Sequence, residues 1–309
     1  MSINELDGTN PYVTCFHRGV YGCIIRQGKM LVIQKARGPY TGLFDLPGGS
    51  PEAGETPEQT LFREIKEETG CTVIKMENRR CRSLIFSRFT PESGKRGVLK
   101  HDAILYDVQV IGTPSEMGDG LDSKGALWVD TNLLNDKNAT PYVLMGLKRE
   151  LISLANEEGY PIDTVVRGAH FGTERFSMIG GVLVFDTKDR LVLQRVSRFK
   201  KTDPLKWSYS AAGHVEPGET YLSAALRELK EELGVSVQSA VFVGKTRVMK
   251  QDRPTSFHCI YRVRHNGPYY PEAKEVEEIR TFTKAEIQQM IIDNPEQFKQ
   301  SFVDIFNKI

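Results

Sequence analysis

The apolar positions of this chain fall in short alternating runs that predict strands, and one helical pattern interrupts those runs twice. Residues 20–26 and 30–34 alternate on either side of Gln27-Gly28-Lys29 and predict a hairpin. Residues 36–50, rich in Gly and Pro, predict a loop. A helix follows, with Thr56 as N-cap, Pro57 at its first position, Gln59 completing a capping box and Gly70 ending it. Leu61 and Ile65, four apart, give that helix an inward stripe, with Phe62 beside it. Strands are predicted over 83–88 and 101–110, joined by a loop over 90–100, and again over 127–129. Thr140-Pro141 predicts the start of a helix running to about Glu157, broken by Gly159-Tyr160-Pro161.

The plan then repeats. Residues 178–185 and 190–195 predict strands around a turn at 186–189. A loop over 199–212 leads to a second helix between Thr220 and Gly234, and strands over 241–249, 257–264 and 279–282 precede helical segments to the end. The stretch beginning at Gly49, GSPEAGETPEQTLFREIKEETGC, returns 164 residues later, at Gly213, as GHVEPGETYLSAALRELKEELGV. Trp128 maps onto Thr281, 153 residues later, so the first copy is the longer, chiefly in the loop over 90–100. Two copies of one domain, 1–160 and 161–309, are expected.

Composition fits that plan. A chain of 309 residues has room for about two domains, and 39% hydrophobic with 26% charged residues is an ordinary globular balance. Lys+Arg 41 against Asp+Glu 40 gives no global field, so neither membrane nor nucleic acid is expected as a partner. Five cysteines, odd in number and without CxxC spacing, predict reduced thiols and a cytoplasmic setting. The N-terminal MSINELDGTNPYVTC lacks a basic start followed by an apolar run, so no signal peptide is expected. The longest apolar run, 178–185, is too short to span a bilayer.

The repeated helix carries the candidate chemistry. Glu64, Glu67 and Glu68 stand at i, i+3 and i+4 on one face, and Glu228, Glu231 and Glu232 do the same. The arrangement is locally unfavourable. Like charges four apart cost a few tenths of a kcal/mol, and the helix dipole disfavours anions in the last turn. Lys66 and Lys230 offset only part of this. A hard divalent cation, Mg²⁺ or Mn²⁺, reverses the sign of the problem, since it takes carboxylate oxygens and shares its shell with water and phosphate. A solvated acidic face is the other reading of one such helix. Recurrence behind the same Gly, Glu and Arg-Glu spacing favours the metal site.

Both stretches resemble the Nudix box: Gly, five residues, Glu, seven residues, Arg-Glu, an apolar residue, any residue, Glu-Glu, any residue, Gly, an apolar residue. The first copy supplies Gly49, Glu55, Arg63, Glu64, Ile65, Glu67, Glu68, Gly70 and Cys71, with Cys71 where an aliphatic is usual. The second supplies Gly213, Glu219, Arg227, Glu228, Leu229, Glu231, Glu232, Gly234 and Val235. The chain is thereby identified as similar to a tandem, MutT-like Nudix hydrolase. The resemblance implies an α/β (α+β) fold of two tandem α/β/α sandwiches around mixed sheets. It implies metal-assisted hydrolysis of diphosphate linkages in nucleoside diphosphate derivatives. It also implies Mg²⁺ or Mn²⁺ held by Glu64, Glu67 and Glu68, by Glu228, Glu231 and Glu232, and by the carbonyls of Gly49 and Gly213. Arg63 and Arg227 would orient the carboxylates, and Glu55 and Glu219 would assist the shell.

Family members often add a general base outside the box, on a loop near the last strand. Glu275 is the candidate, Asp122 its counterpart, and Glu277 and Glu278 keep the choice open beside a plain acidic turn. The second copy also resembles isopentenyl-diphosphate isomerases through KWSYSAAGHVEPGE, but Ala212 stands where their catalytic cysteine falls. His214 is read as a loop residue before a ligand or base. Arg79, Arg80, Arg82, Arg88, Lys95, Arg96 and Lys100 form a basic set that grips phosphates or a nucleic acid end, or else is a solvated loop. Tyr40, Phe44, Phe199 and Trp207 are candidates to stack on a base or simply to be core. A small nucleotide is the expected substrate. A nucleotide sensor, a copy that serves only as scaffold, and a homodimer all stay open.

Overall fold

The computed structural model describes residues 10–307 except 39, 91–94, 116, 118–122, 170, 171, 173, 251 and 252. The chain divides into two units. One is formed by Pro11–Ile152 with Ile162–Phe171, the other by Ser153–Pro161 with Gly172–Ile309.

The first unit contains β1 (Val13–Cys23), β2 (Ile25–Arg26), β3 (Lys29–Lys35), β4 (Phe44–Asp45), β5 (Gly48–Gly49), α1 (Pro57–Thr69), β6 (Thr72–Thr90), β7 (Lys95–Ile111), β8 (Ser123–Asp130) and α2 (Pro141–Gly146). One sheet runs β5-β1-β7-β6, with β1 parallel to β7 and β6 antiparallel to it. The other runs β2-β3-β4, with β8 on β3. Leu61 and Ile65 of α1 pack with Val20, Ile24, Leu31 and Ile33, while Tyr142, Val143 and Leu144 of α2 pack with Met30 and Val32. Alternate residues of β3 therefore serve two helical layers.

Three expectations need correction here. The predicted hairpin does turn at Gln27 and Gly28, both with positive φ, but it is short: Ile25 and Arg26 pair with β3, and Ile24 O accepts from Leu31 N. Residues 19–23 of β1 are all buried and lie beside β7 instead, as suits a strand covered on both faces. The segment 95–100 is not loop, because Thr90 pairs with Lys95 and the ladder continues to Thr72 and Ile111. The extra length of the first copy thus lies in strands of 19 and 17 residues where the second has 10 and 12. The helix from Pro141 stops at Gly146, and Lys148 is left-handed with φ 57°. The chain then forms β9 (Leu151–Ala155), with all five residues buried, and β10 (Pro161–Val166). A short continuous apolar run suits a buried strand as well as a buried helix, which is why its sequence misleads.

The second unit contains β11 (Phe176–Phe185), β12 (Leu191–Val196), β13 (Trp207–Ser208), β14 (Ala211–His214), α3 (Tyr221–Leu233), β15 (Val241–Lys250), β16 (Arg253–Arg264), β17 (Val276–Phe282), α4 (Lys284–Asp293) and α5 (Gln300–Phe306). The two segments expected to be loops before the helices contain β4 with β5, and β13 with β14. Strand β11 is antiparallel to β14 and parallel to β16, and β17 is antiparallel to β12. Val182, Val184 and Val192 face Ala225, Leu229 and Leu233 of α3. Leu183, Leu191 and Leu193 face Ile287 of α4 and Phe302 and Ile305 of α5. Each unit is thus an α/β/α arrangement on mixed sheets.

The register supports the repeat residue by residue. Gly49 pairs with Val20, and Gly213 with Gly180. Trp128 lies opposite Leu31, and Thr281 opposite Val192. By the same ladders Ala126 lies opposite Ile33, and Ile279 opposite Gln194, so Ile33 and Gln194 occupy one position of the plan. Among the described residues no helix is long and apolar enough to cross a membrane.

Candidate functional site

The site begins with a well-specified helix. The Thr56 side chain accepts from Gln59 N, the Gln59 side chain accepts from Thr56 N, and Gly70 closes α1 at φ 72° with its N–H on Lys66 O. Thr220 and Ser223 repeat the box on α3, and Gly234 closes it at φ 71°. Burying Leu61 and Ile65, or Leu229 and Leu233, fixes the rotation of each helix at roughly 1.5–3 kcal/mol per side chain. That rotation decides where the carboxylates point.

Arg63 is the hub of the first copy. Its Nε and one terminal N–H donate to the two oxygens of Glu55 at 2.8 and 2.9 Å, a fork-to-fork pair. Its other terminal nitrogen donates to Glu64 at 2.9 Å and to Glu67 at 3.2 Å, and Ser50 O accepts at 3.2 Å. Arg227 repeats the pattern, with Glu219 at 2.8 and 3.0 Å, Glu228 at 2.6 Å, Glu231 at 3.2 Å and His214 O at 2.9 Å. The buried acid of each trio turns to the opposite side. Glu68 accepts from Gly48 N at 2.8 Å. Glu232 accepts from Ala212 N at 3.0 Å and from Gln194 Nε2 at 3.1 Å.

The three carboxylates of a trio therefore differ in environment. Glu67 and Glu231 are exposed, Glu64 and Glu228 half-buried, Glu68 and Glu232 buried. Burial pushes Glu68 and Glu232 up to about 8 and raises Glu64 and Glu228, with Arg63 and Arg227 opposing that rise. Glu55 is held down at about 2 by its bonds to Arg63. A Cβ on Gly49 would stand 2.5 Å from Glu64 Oε1, and one on Gly213 2.0 Å from Glu228 Oε1. Only glycine lets the carboxylate lie against the backbone there.

This donor set fits a hard divalent cation. Desolvated carboxylates beside bare backbone are only partly compensated, by Arg63 and Arg227 shared among three acids each and by Lys35 in the first copy. Among the described residues no three His, Cys, Asp or Glu side chains already converge as a cage. The fit is to an ion that keeps water and phosphate in its shell.

The other candidates disperse. Glu275 pairs with Lys200 and lies close enough to Glu232 to raise its pKa. Glu277 is held by Arg198, and Glu278 by Arg195 and Arg280. Asp122 lies outside the described residues, as do the side chains of Arg88, Lys95 and Arg96. Arg80 of the basic set is tied to Asp107. Tyr40 and Trp207 are core residues at 4% and 5% exposure, while Phe199 is 80% exposed. His214 belongs to β14, where its carbonyl serves Arg227.

Residues without a motif also reach the sites. Lys35 stands near enough to Glu68, Glu64 and Asp45 to lower their pKa values. Tyr21, whose neighbours include Glu68 and Glu64, joins a buried chain in which its hydroxyl meets His101 Nε2 at 3.0 Å and Tyr40 meets His101 Nδ1 at 3.1 Å. Sheet register, not local sequence, brings these groups and Gln194 to the helices.

Residues 16–141 and 178–302 each match the family described as NUDIX domain. An ADP-ribose pyrophosphatase of Methanocaldococcus jannaschii is 37% identical over 115 residues, 37% of this chain and 62% of that protein's length. An isopentenyl-diphosphate Delta-isomerase of Streptomyces avermitilis is 30% identical over 151 residues, 47% of this chain and 77% of that protein. Among solved structures, DR0079 of Deinococcus radiodurans covers 51% of this chain and 98% of its own, at 20% identity and TM-score 0.45.

Proposed function

The chain belongs to the NUDIX family, and from that premise we propose a divalent-metal-dependent hydrolase of diphosphate linkages in nucleoside diphosphate derivatives, with one site on 1–160 and another on 161–309. The observation that carries this reading is the duplicated hub, in which one arginine gathers three carboxylates against a glycine turn in both copies. Glu64, Glu67 and Glu68 would hold Mg²⁺ or Mn²⁺ in the first copy with the Gly49 carbonyl, and Glu228, Glu231 and Glu232 would do so in the second with Gly213. A cation bound there supplies charge neutralisation on the phosphates and a more acidic water.

The chain's own groups do the rest. Arg63 and Arg227 fix the carboxylate rotamers before ligand arrives, so little reorganisation remains for the reaction. Glu275 is proposed as the general base of the second copy, since it is close enough to Glu232 to raise its pKa, although it is paired with Lys200 as Glu277 and Glu278 are with arginines. Lys35 adds positive charge for a phosphate in the first copy. Isomerase chemistry is not assigned to the second copy, because Ala212 has no thiol to move a proton. An ADP-ribose-like molecule and a damaged nucleoside triphosphate are the substrate classes to test first, in a cytoplasmic setting.

The experiment is a Mg²⁺-dependent screen of nucleotides on the wild type, Glu67→Gln, Glu231→Gln and the double variant. Each single substitution is expected to abolish one copy's turnover. Unchanged turnover in the double variant sinks the hydrolase reading. Full wild-type nucleotide affinity without turnover would turn it into a sensor.

A further inference from the structure

Gln194 is 5% exposed, and among the described residues its side-chain oxygen has no hydrogen-bond partner. The Nε2 group donates to Glu232 at 3.1 Å, and with Glu232 ionised, as a group that holds a cation must be, its carboxylate cannot favourably face the amide oxygen instead. The oxygen lies about 2.2 Å from that nitrogen by amide geometry. An O–H or N–H group that bonds this oxygen is held by the same amide that holds the Glu232 carboxylate. A buried acceptor left unmade costs about 1–3 kcal/mol, which gives the position a reason to await a ligand.

The first copy supplies the contrast. Ile33, fully buried, takes the place of Gln194, and Glu68 accepts from Gly48 N. The fold thus holds the buried glutamate of the box without an amide at this point, so Gln194 is not required to build the helix–strand contact.

We propose that Gln194 Oε1 receives a hydroxyl-type hydrogen bond from the ligand of the second site, a contact the first site lacks, which makes Gln194 a specificity-determining residue. The donor is an O–H of either of two sources: a water carried by the bound cation, or a hydroxyl of the substrate. This inference rests on the metal-site reading above and is tested so that the two can fail separately.

The test uses the full chain with Glu64→Gln and Glu67→Gln silencing the first site. Gln194→Leu and the unbranched Gln194→Met are compared with Gln194 intact. Melting temperature is measured without cation, with Mn²⁺ alone, with Mn²⁺ and pyrophosphate, and with Mn²⁺ and ADP-ribose. Calorimetry gives the Mn²⁺ dissociation constant. Both variants are expected to melt close to the intact protein's temperature without cation, because the unmade acceptor and the Nε2 bond to Glu232 are removed together. A Mn²⁺ dissociation constant weakened about 10-fold or more places the role of Gln194 at the cation, through a water on Oε1 together with the Nε2 bond to Glu232. An unchanged Mn²⁺ constant and pyrophosphate shift, with a reduced ADP-ribose shift, identifies a substrate hydroxyl. The inference is overturned if every ligand shift is unchanged, or if the cation-free melting temperature falls while the shifts persist, which marks a structural amide. Glu228→Gln on the same background is the separate control: if it retains Mn²⁺ binding, the metal-site reading fails whatever Gln194 does.

Discussion

Gly49 and Gly213 are the residues at which a single atom decides most. An added Cβ would lie 2.5 Å from Glu64 Oε1 or 2.0 Å from Glu228 Oε1, so Gly49→Ala must displace the carboxylate. Turnover by that copy is expected to drop about 10- to 100-fold with little change in melting temperature, measured with the other copy silenced by Glu231→Gln. Titration gives a second prediction at this scale. Glu68 and Glu232 are raised from 4.5 to about 8. The folded state therefore binds more protons than the unfolded between those values, and stability falls as pH rises from 4.5 to 8. Burial holds His101 and His258 down from 6.5 to about 2 and 3, so their contribution is lost as pH falls below 6.5. The two effects oppose each other from 4.5 to 6.5. Cation-free protein should show a stability plateau there, declining on both sides, with saturating Mg²⁺ removing the alkaline decline. A melting curve that keeps rising from pH 6.5 to 8 without cation would contradict these assignments.

At the scale of the element, α1 and α3 are held by caps and by one apolar stripe each. Thr56→Ala removes a cap and should destabilise by about 1 kcal/mol. Leu61→Ala or Leu229→Ala opens a cavity under fully buried side chains and should cost about 2–5 kcal/mol in urea denaturation. Both helices were legible in sequence because their signals are local: the cap, the i,i+4 stripe and the closing glycine. Residues 151–155 were not, because an apolar run of five carries no period and only burial beside β11 makes it a strand. Nor was the pairing of β1 with β7, whose partners are some 84 residues apart in sequence. No local rule reports a partner at that distance.

At the scale of the whole molecule, each unit repeats the same α/β/α plan with different side chains at equivalent strand positions. Ile33 and Lys35 in one copy stand where Gln194 and Val196 stand in the other. The copies are accordingly expected to differ in ligand preference while sharing a cation requirement. Chelation by EDTA should abolish turnover at both sites. Readded Mg²⁺ should raise the melting temperature, since a ligand at about 100 times its dissociation constant stabilises by about 2.7 kcal/mol. The rise should halve in Glu231→Gln if each site contributes.

The sequence by itself determined the duplication, the two helices and the clustering of carboxylates on one face of each, because spacing along a helix is geometry along a helix. It also determined that both boxes are complete. Tertiary structure alone decided which acid of each trio is buried, since that depends on the strands the helix covers. It also decided which groups approach from those strands: Lys35, Tyr21 and Gln194 come to the helices through hydrogen-bonded register, and register is set by pairing between segments far apart in the chain.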